Sequence, residues 1–150
     1  MMTSKERFDA TVNHKQPDKM MVDFGATSTT GIHVWTVEKL RKHYGLEWKP
    51  VRVVDPYQML GEVDEELRGI LGADAVGAKG KNSSFGYYNH APFKEYKTPW
   101  GQTVLVPVGF QTTIDENGNT LSYPAGDTSV QPSAKMPKAS YFFDAIIRQQ

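Results

Sequence analysis

Cysteine is absent from the 150 residues, which excludes disulfides, thiolate catalysis and cysteine-ligated zinc and fits a reducing, cytoplasmic compartment. Surplus charge is absent too: 17 basic side chains face 17 acidic ones, so the broad positive field on which nucleic-acid binders rely is missing. No apolar run approaches the ~20 residues that a membrane-spanning helix requires. The opening "MMTSKERFDA" carries charges where a secretory leader would have its apolar centre. Neither nucleic acid nor a membrane is expected as a partner. With 39% hydrophobic and 23% charged residues, what remains is the composition of an ordinary globular domain.

Thr3 and Glu6 have the spacing of a capping box and open a helix predicted over residues 4 to 13. Pro17-Asp18 closes it, and "KMMVDF" reads as a short buried strand ahead of the loop "GATSTTGIH". Val34, Val37, Leu40 and Tyr44 then follow helical spacing up to Gly45, a left-handed cap. "PVRVVD" is extended. Asp55-Pro56-Tyr57-Gln58 predicts a helix starting at once, with Met59, Leu60, Val63, Leu67, Ile70 and Leu71 as its apolar stripe and Gly72 as its end. "ADAVGA" returns to extended chain. This alternation is that of α/β proteins with parallel strands, over about residues 1 to 80.

The second half changes character. Between about residues 96 and 124, alternating β-branched and aromatic residues flank "DENGNT", where Asn117-Gly118 predicts a hairpin turn, so a β-hairpin layer is added to the α/β unit. Residues 123 to 138, rich in Pro, Ser and Gly, read as a surface loop. A further apolar element starts at about 140 to 150 with Phe142, Phe143, Ile146 and Ile147.

Several motifs fail on spacing. Gly80-Lys81 lacks both the upstream Gly of a phosphate-binding loop and the following Ser or Thr. "DENGN" has Gly118 in the fourth place of a calcium loop, not the sixth, and Gly126 in the twelfth. The four His residues show no metal-ligand spacing, so no metal site is assigned. Asn82-Ser83-Ser84 matches a glycosylation sequon without a secretory signal beside it. The aromatic residues from Phe85 to Trp100, interleaved with Lys94 and Lys97, suit packing of the hairpin against the body better than stacking of bases.

The strand-to-helix loop is the better candidate. A strand end opening into small and hydroxyl-bearing residues before a helix is where α/β folds hold ligands. Gly25, Thr29 and Thr30 would face the ligand, with Asp23 and His33 as the groups able to orient or protonate it. Asp55, at the end of the next strand, is a cap with a second claim as a binding residue.

The stretches "TSKERFDATVNHKQPDKMMVDFGATSTTGIHVWTVEKLRKHYGLE" and "PVRVVDPYQMLGEVDEELRGILGADAVG" resemble the N-terminal part of the uroporphyrinogen decarboxylase superfamily, in its methyltransferase-like branch. The resemblance continues through the hairpin to "PSAKMPKASYFFDAIIRQ". It implies the N-terminal portion of a (β/α)8 TIM-like barrel with an inserted hairpin layer, its first loop facing a small-molecule pocket. It also implies decarboxylation of porphyrinogen carboxylates or transfer of methyl groups between corrinoid carrier proteins and thiols. Porphyrinogen decarboxylases carry an Arg-Gln-Ala-Gly-Arg loop where this chain has Gly25-Ala26-Thr27-Ser28-Thr29 without arginine, so methyl transfer is the expected activity. Decarboxylation would leave Arg52 as the carboxylate-binding residue. The family's zinc ligands lie later in the barrel, so corrinoid and zinc belong to a complete protein and none is assigned to this chain. A barrel needs ~250 residues. The chain is therefore expected to be a partial barrel, inactive alone, or a module that closes itself by self-association.

Overall fold

A computed structural model describes residues 1 to 146 except Lys79, Ser84 and Ala91. Ile147 and the last residue of the sequon lie outside the described residues.

The helix at the start forms as expected. α1 (Ser4–Val12) has the complete capping box, with Thr3 accepting from the Glu6 N–H and the Glu6 carboxylate taking the Thr3 N–H. Its Arg7, 3% exposed, donates to Asp18 (2.9 Å), to Asp74 and to the Met2 carbonyl (2.9 Å), tying the N-terminal helix to two distant loops. The Arg7 guanidinium and then the Met2 N–H draw the Asp18 carboxyl down to about 2.

β1 (Ile32–His33) leads directly into α2 (Val34–His43), whose end is followed by Gly45 at φ +69. β2 (Val51–Asp55) follows as an extended strand. The helix predicted at Asp55 does not start there. Asp55 Oδ1 accepts the N–H groups of Tyr57 (2.8 Å) and Gln58 (3.2 Å), and Met59 at φ +52 turns the chain back into β3 (Leu60–Gly61), antiparallel to β2. Only then does α3 (Glu65–Leu71) begin, capped by Asp64 and ended by Gly72 at φ +66. Asp64 also receives Arg41 and, at 2.9 Å, Lys49. Burial works against its charge, but the Leu67 N–H, Lys49 and Arg41 together hold its pKa below the ordinary value.

β4 (Phe93–Lys97) and β5 (Thr103–Pro107) form a hairpin, and β5 lies parallel to β2, giving a five-stranded sheet in the order β1-β3-β2-β5-β4. Gln102, at 7% exposure, holds this turn to α2 by donating to the Val34 carbonyl at 3.1 Å. β6 (Thr112–Ile114) and β7 (Thr120–Ser122) are the hairpin around Asn117-Gly118, with Gly118 at φ +79 and Asp115 accepting from Asn117 and Asn119. Residues 96 to 124 thus divide between two sheets. The stretch expected as a surface loop contains a 3-10 turn (Pro124–Gly126) and β8 (Ala134–Met136), which pairs with β7, while β9 (Asp144–Ala145) completes a second sheet ordered β6-β7-β8-β9.

The expected N-terminal portion of a TIM-like barrel is therefore not what forms. Among the described residues the fold is mostly β, with nine strands in two sheets and three short α-helices, and without repeated alternation of strand and helix. Two local facts explain the difference. The run "KMMVDF" enters no ladder, with Met20 83% and Phe24 43% exposed. The apolar stripe read as one helix is shared between a turn, a two-residue strand and a seven-residue helix. "ADAVGA" is likewise outside any regular strand but runs beside the Asp23 loop: the Asp74 N–H donates to the Val22 carbonyl at 2.7 Å.

One core joins the sheets. Val34, Val37, Val51, Val53, Leu67, Val104 and Val106 fill it beneath the first sheet; Tyr87, Phe110, Met136 and Phe143 continue it beneath the second. Most of the aromatic segment packs inward, as expected: Tyr87 is 2% exposed, with its hydroxyl donating to the Tyr123 carbonyl at 2.7 Å, whereas Tyr88 is 51% exposed.

Candidate functional site

The loop from Phe24 to Gly31 is held closed from within. Asp23 Oδ1 accepts the Ala26 N–H at 3.0 Å and Oδ2 accepts the Thr30 hydroxyl at 2.9 Å. The Gly25 N–H donates to the Thr30 carbonyl at 2.8 Å. Gly25 is at φ +90, and a Cβ there would come within 2.8 Å of Val63 Cγ2, so only glycine lets the loop lie against the β3–α3 connection. On its other side the loop meets "ADAVGA" even more closely, since a Cβ on Gly77 would be 2.1 Å from the Ala26 carbonyl oxygen.

Between these three segments lies a cleft of about 350 Å³, lined by Gly25 and its neighbours, by Asp55 and Glu62 at the ends of β2 and β3, by Arg68 of α3, by residues 75 to 78 and by Asn89. This is at the small end of ligand pockets, which run from about 300 to 1,000 Å³. Its wall is mixed, with Leu60, Val63 and Val76 beside the charged groups Asp55, Glu62 and Arg68 in its lining.

The sequence-predicted residues are distributed unevenly about this cleft. Gly25 and Asp55 line it. Asp23 and Thr30 lie behind the wall, stapling the loop, and Thr29 is exposed on the loop's outer side. His33 is elsewhere: Nδ1 accepts the Trp35 N–H at 3.2 Å as the cap of α2, Nε2 lies 2.9 Å from the Tyr141 carbonyl, and the ring rests 5.3 Å from that of Trp100. Both ring nitrogens are thus engaged within the fold, which leaves neither to a ligand in the cleft. Arg52 pairs with Glu62 at 2.9 Å and covers the Phe93 ring at 5.0 Å.

Arg68, Glu62 and residues 75 to 78 were not singled out in the sequence. Arg68 reads there as one polar residue on a helix surface, and only the approach of "ADAVGA" to the Gly25 loop brings it to a cleft. Among the described residues, no group of three or more His, Asp or Glu side chains is placed to hold a metal ion, and no helix is long and apolar enough to cross a membrane. No protein-family model, curated protein or solved structure matches this chain.

Proposed function

We propose that this chain supplies the small-molecule-binding part of a methyltransferase-like protein of the uroporphyrinogen decarboxylase superfamily, acting in the cytoplasm on a methyl donor or acceptor seated in the Gly25 cleft. The sequence resemblance supports the family, and the reading concerns the site alone, since the two-sheet fold excludes the barrel. The observation that carries it is the cleft's size and lining. About 350 Å³ lies at the small end of the range of ligand pockets. A small polar metabolite fits, with Asp55 and Arg68 to orient it and the apolar wall to receive a methyl group.

Decarboxylation of a porphyrinogen-like polycarboxylate has less support, because Arg52 is already committed to Glu62. Among the described residues no group of three or more His, Asp or Glu side chains is placed to hold zinc. Zinc and a corrinoid would be supplied in a complete protein, the corrinoid on a carrier protein that approaches the mouth of the cleft.

The test is to titrate the chain by calorimetry with a panel of small thiols and methylated amines. Saturable binding that Ala75→Phe suppresses by filling the cleft supports the reading. No binding by any of them overturns it.

A further inference from the structure

We infer that the cleft selects a small zwitterion of the amino-acid type, its carboxylate on Arg68 and its ammonium or N-methylated ammonium group on Asp55. The inference rests on the cleft being the site, as proposed above, and adds the class of molecule that enters it.

The argument is one of committed and uncommitted charge. Three charged side chains among the described residues line the cleft. Glu62 is held by Arg52 at 2.9 Å. Asp55 uses only Oδ1 for the two N–H groups of its turn, which leaves Oδ2 with an acceptor position to offer. Arg68 makes no ion pair or side-chain hydrogen bond with any described residue. A half-buried guanidinium without an anion among the described residues, lining the same small cleft as a carboxylate with a spare oxygen, is matched in charge by a molecule bearing one of each. A guanidinium takes a carboxylate by two parallel hydrogen bonds. A phosphate or polycarboxylate would bring a surplus of negative charge against Asp55. Val63, Leu60 and Val76 of the same wall offer apolar surface, which favours N-methyl groups over a fully hydrated ammonium.

The experiment is a titration of the isotopically labelled chain followed by amide chemical shifts, with sarcosine as the zwitterion and acetate and methylammonium as its halves. Sarcosine is expected to shift the amides of residues 25 to 31 and 61 to 63 in a saturable way, at least about tenfold more tightly than either half, as loss of one charge-assisted contact implies. Arg68→Gln should weaken sarcosine by about tenfold or more and leave methylammonium unchanged, while Asp55→Asn, which keeps the turn's acceptor, should do the converse for acetate. Acetate binding as tightly as sarcosine would overturn the zwitterion while leaving the cleft as a site. No response to any of the three probes while a small thiol or methylated amine still binds in the cleft would overturn the ligand class alone. No binding by any of these molecules would overturn both.

Discussion

Phe142 and Phe143 are neighbours of identical chemistry and opposite fate. Phe143 is 1% exposed and Phe142 is 49% exposed. The Phe143 ring lies 6.2 Å from that of Phe85 and 6.4 Å from that of Phe110, and its N–H donates to the Tyr57 carbonyl at 2.8 Å. One residue thus fastens the last described segment to the second sheet and to the Asp55 turn beside the cleft. Phe143→Ala removes a whole buried ring, which costs about 3 to 5 kcal/mol. The whole chain is worth only about 7 to 20 kcal/mol at typical values per residue. The midpoint of thermal unfolding should fall by roughly 6 to 20 °C at this chain length. Phe142→Ala should change stability by no more than about 0.5 kcal/mol. Urea unfolding followed by circular dichroism, with the slope checked for constancy, measures both. A loss below about 1 kcal/mol for Phe143→Ala, or an equal loss for Phe142→Ala, would refute the claim that this segment belongs to the core.

Acid should act through the Arg7 cluster. Asp18 titrates at about 2 when folded against an ordinary 3.8, so its contribution is complete above the ordinary value and is lost as pH falls through the interval between them. Asp74 shifts the same way: burial opposes its charge, but the Val22 N–H, Ser4 and Arg7 outweigh it. Unfolding free energy measured from pH 7 down to 2 should therefore be level from these groups until about pH 4 and then decline, and Asp18→Asn should shallow that decline. Gly118→Ala places a side chain at φ +79, with the Lys138 side chain 3.2 Å from the new Cβ, and should cost about 1 to 2 kcal/mol; a neutral result by thermal unfolding would show that the turn adopts another form. Asp64→Ala removes the α3 cap and leaves Arg41 short of an anion. Amide exchange across residues 65 to 71 should quicken by a factor consistent with the ~1 kcal/mol of a lost cap or more.

Where structure is decided within a few residues, the sequence was readable. The Thr3–Glu6 capping box, Gly45 after α2 and the Asn117-Gly118 hairpin all depend on side chain and backbone groups within one turn of each other. Asp55 shows where this stops. An aspartate that accepts N–H groups two and three residues on makes the same bonds at a helix start and in an isolated turn. What decides between them is Met59 turning back so that Leu60 can pair with His33, a long-range event. "KMMVDF" failed for a related reason, since a strand is defined by its partner and none among the described residues offers it a ladder. In the candidate site, Gly25 and Asp55 were legible as a loop glycine and a strand-end acid. Arg68 was not, because its position facing the cleft depends on the contact between Gly77 and Ala26.

The parallel pairing of β2 with β5 sets a condition on how the chain folds. Val51 and Arg52 face Val104 and Leu105, so β2 cannot complete its edge until more than fifty further residues exist. At synthesis rates of about 5 to 20 residues per second, β2 and its short β3 hairpin wait several seconds with the backbone edge that β5 will take unpaired. Antiparallel β4 cannot substitute, because it pairs through β5. During that interval the nascent chain depends on whatever shields that open strand edge. Mutations that speed β4–β5 hairpin formation should therefore raise the yield of folded protein more than they raise its final stability.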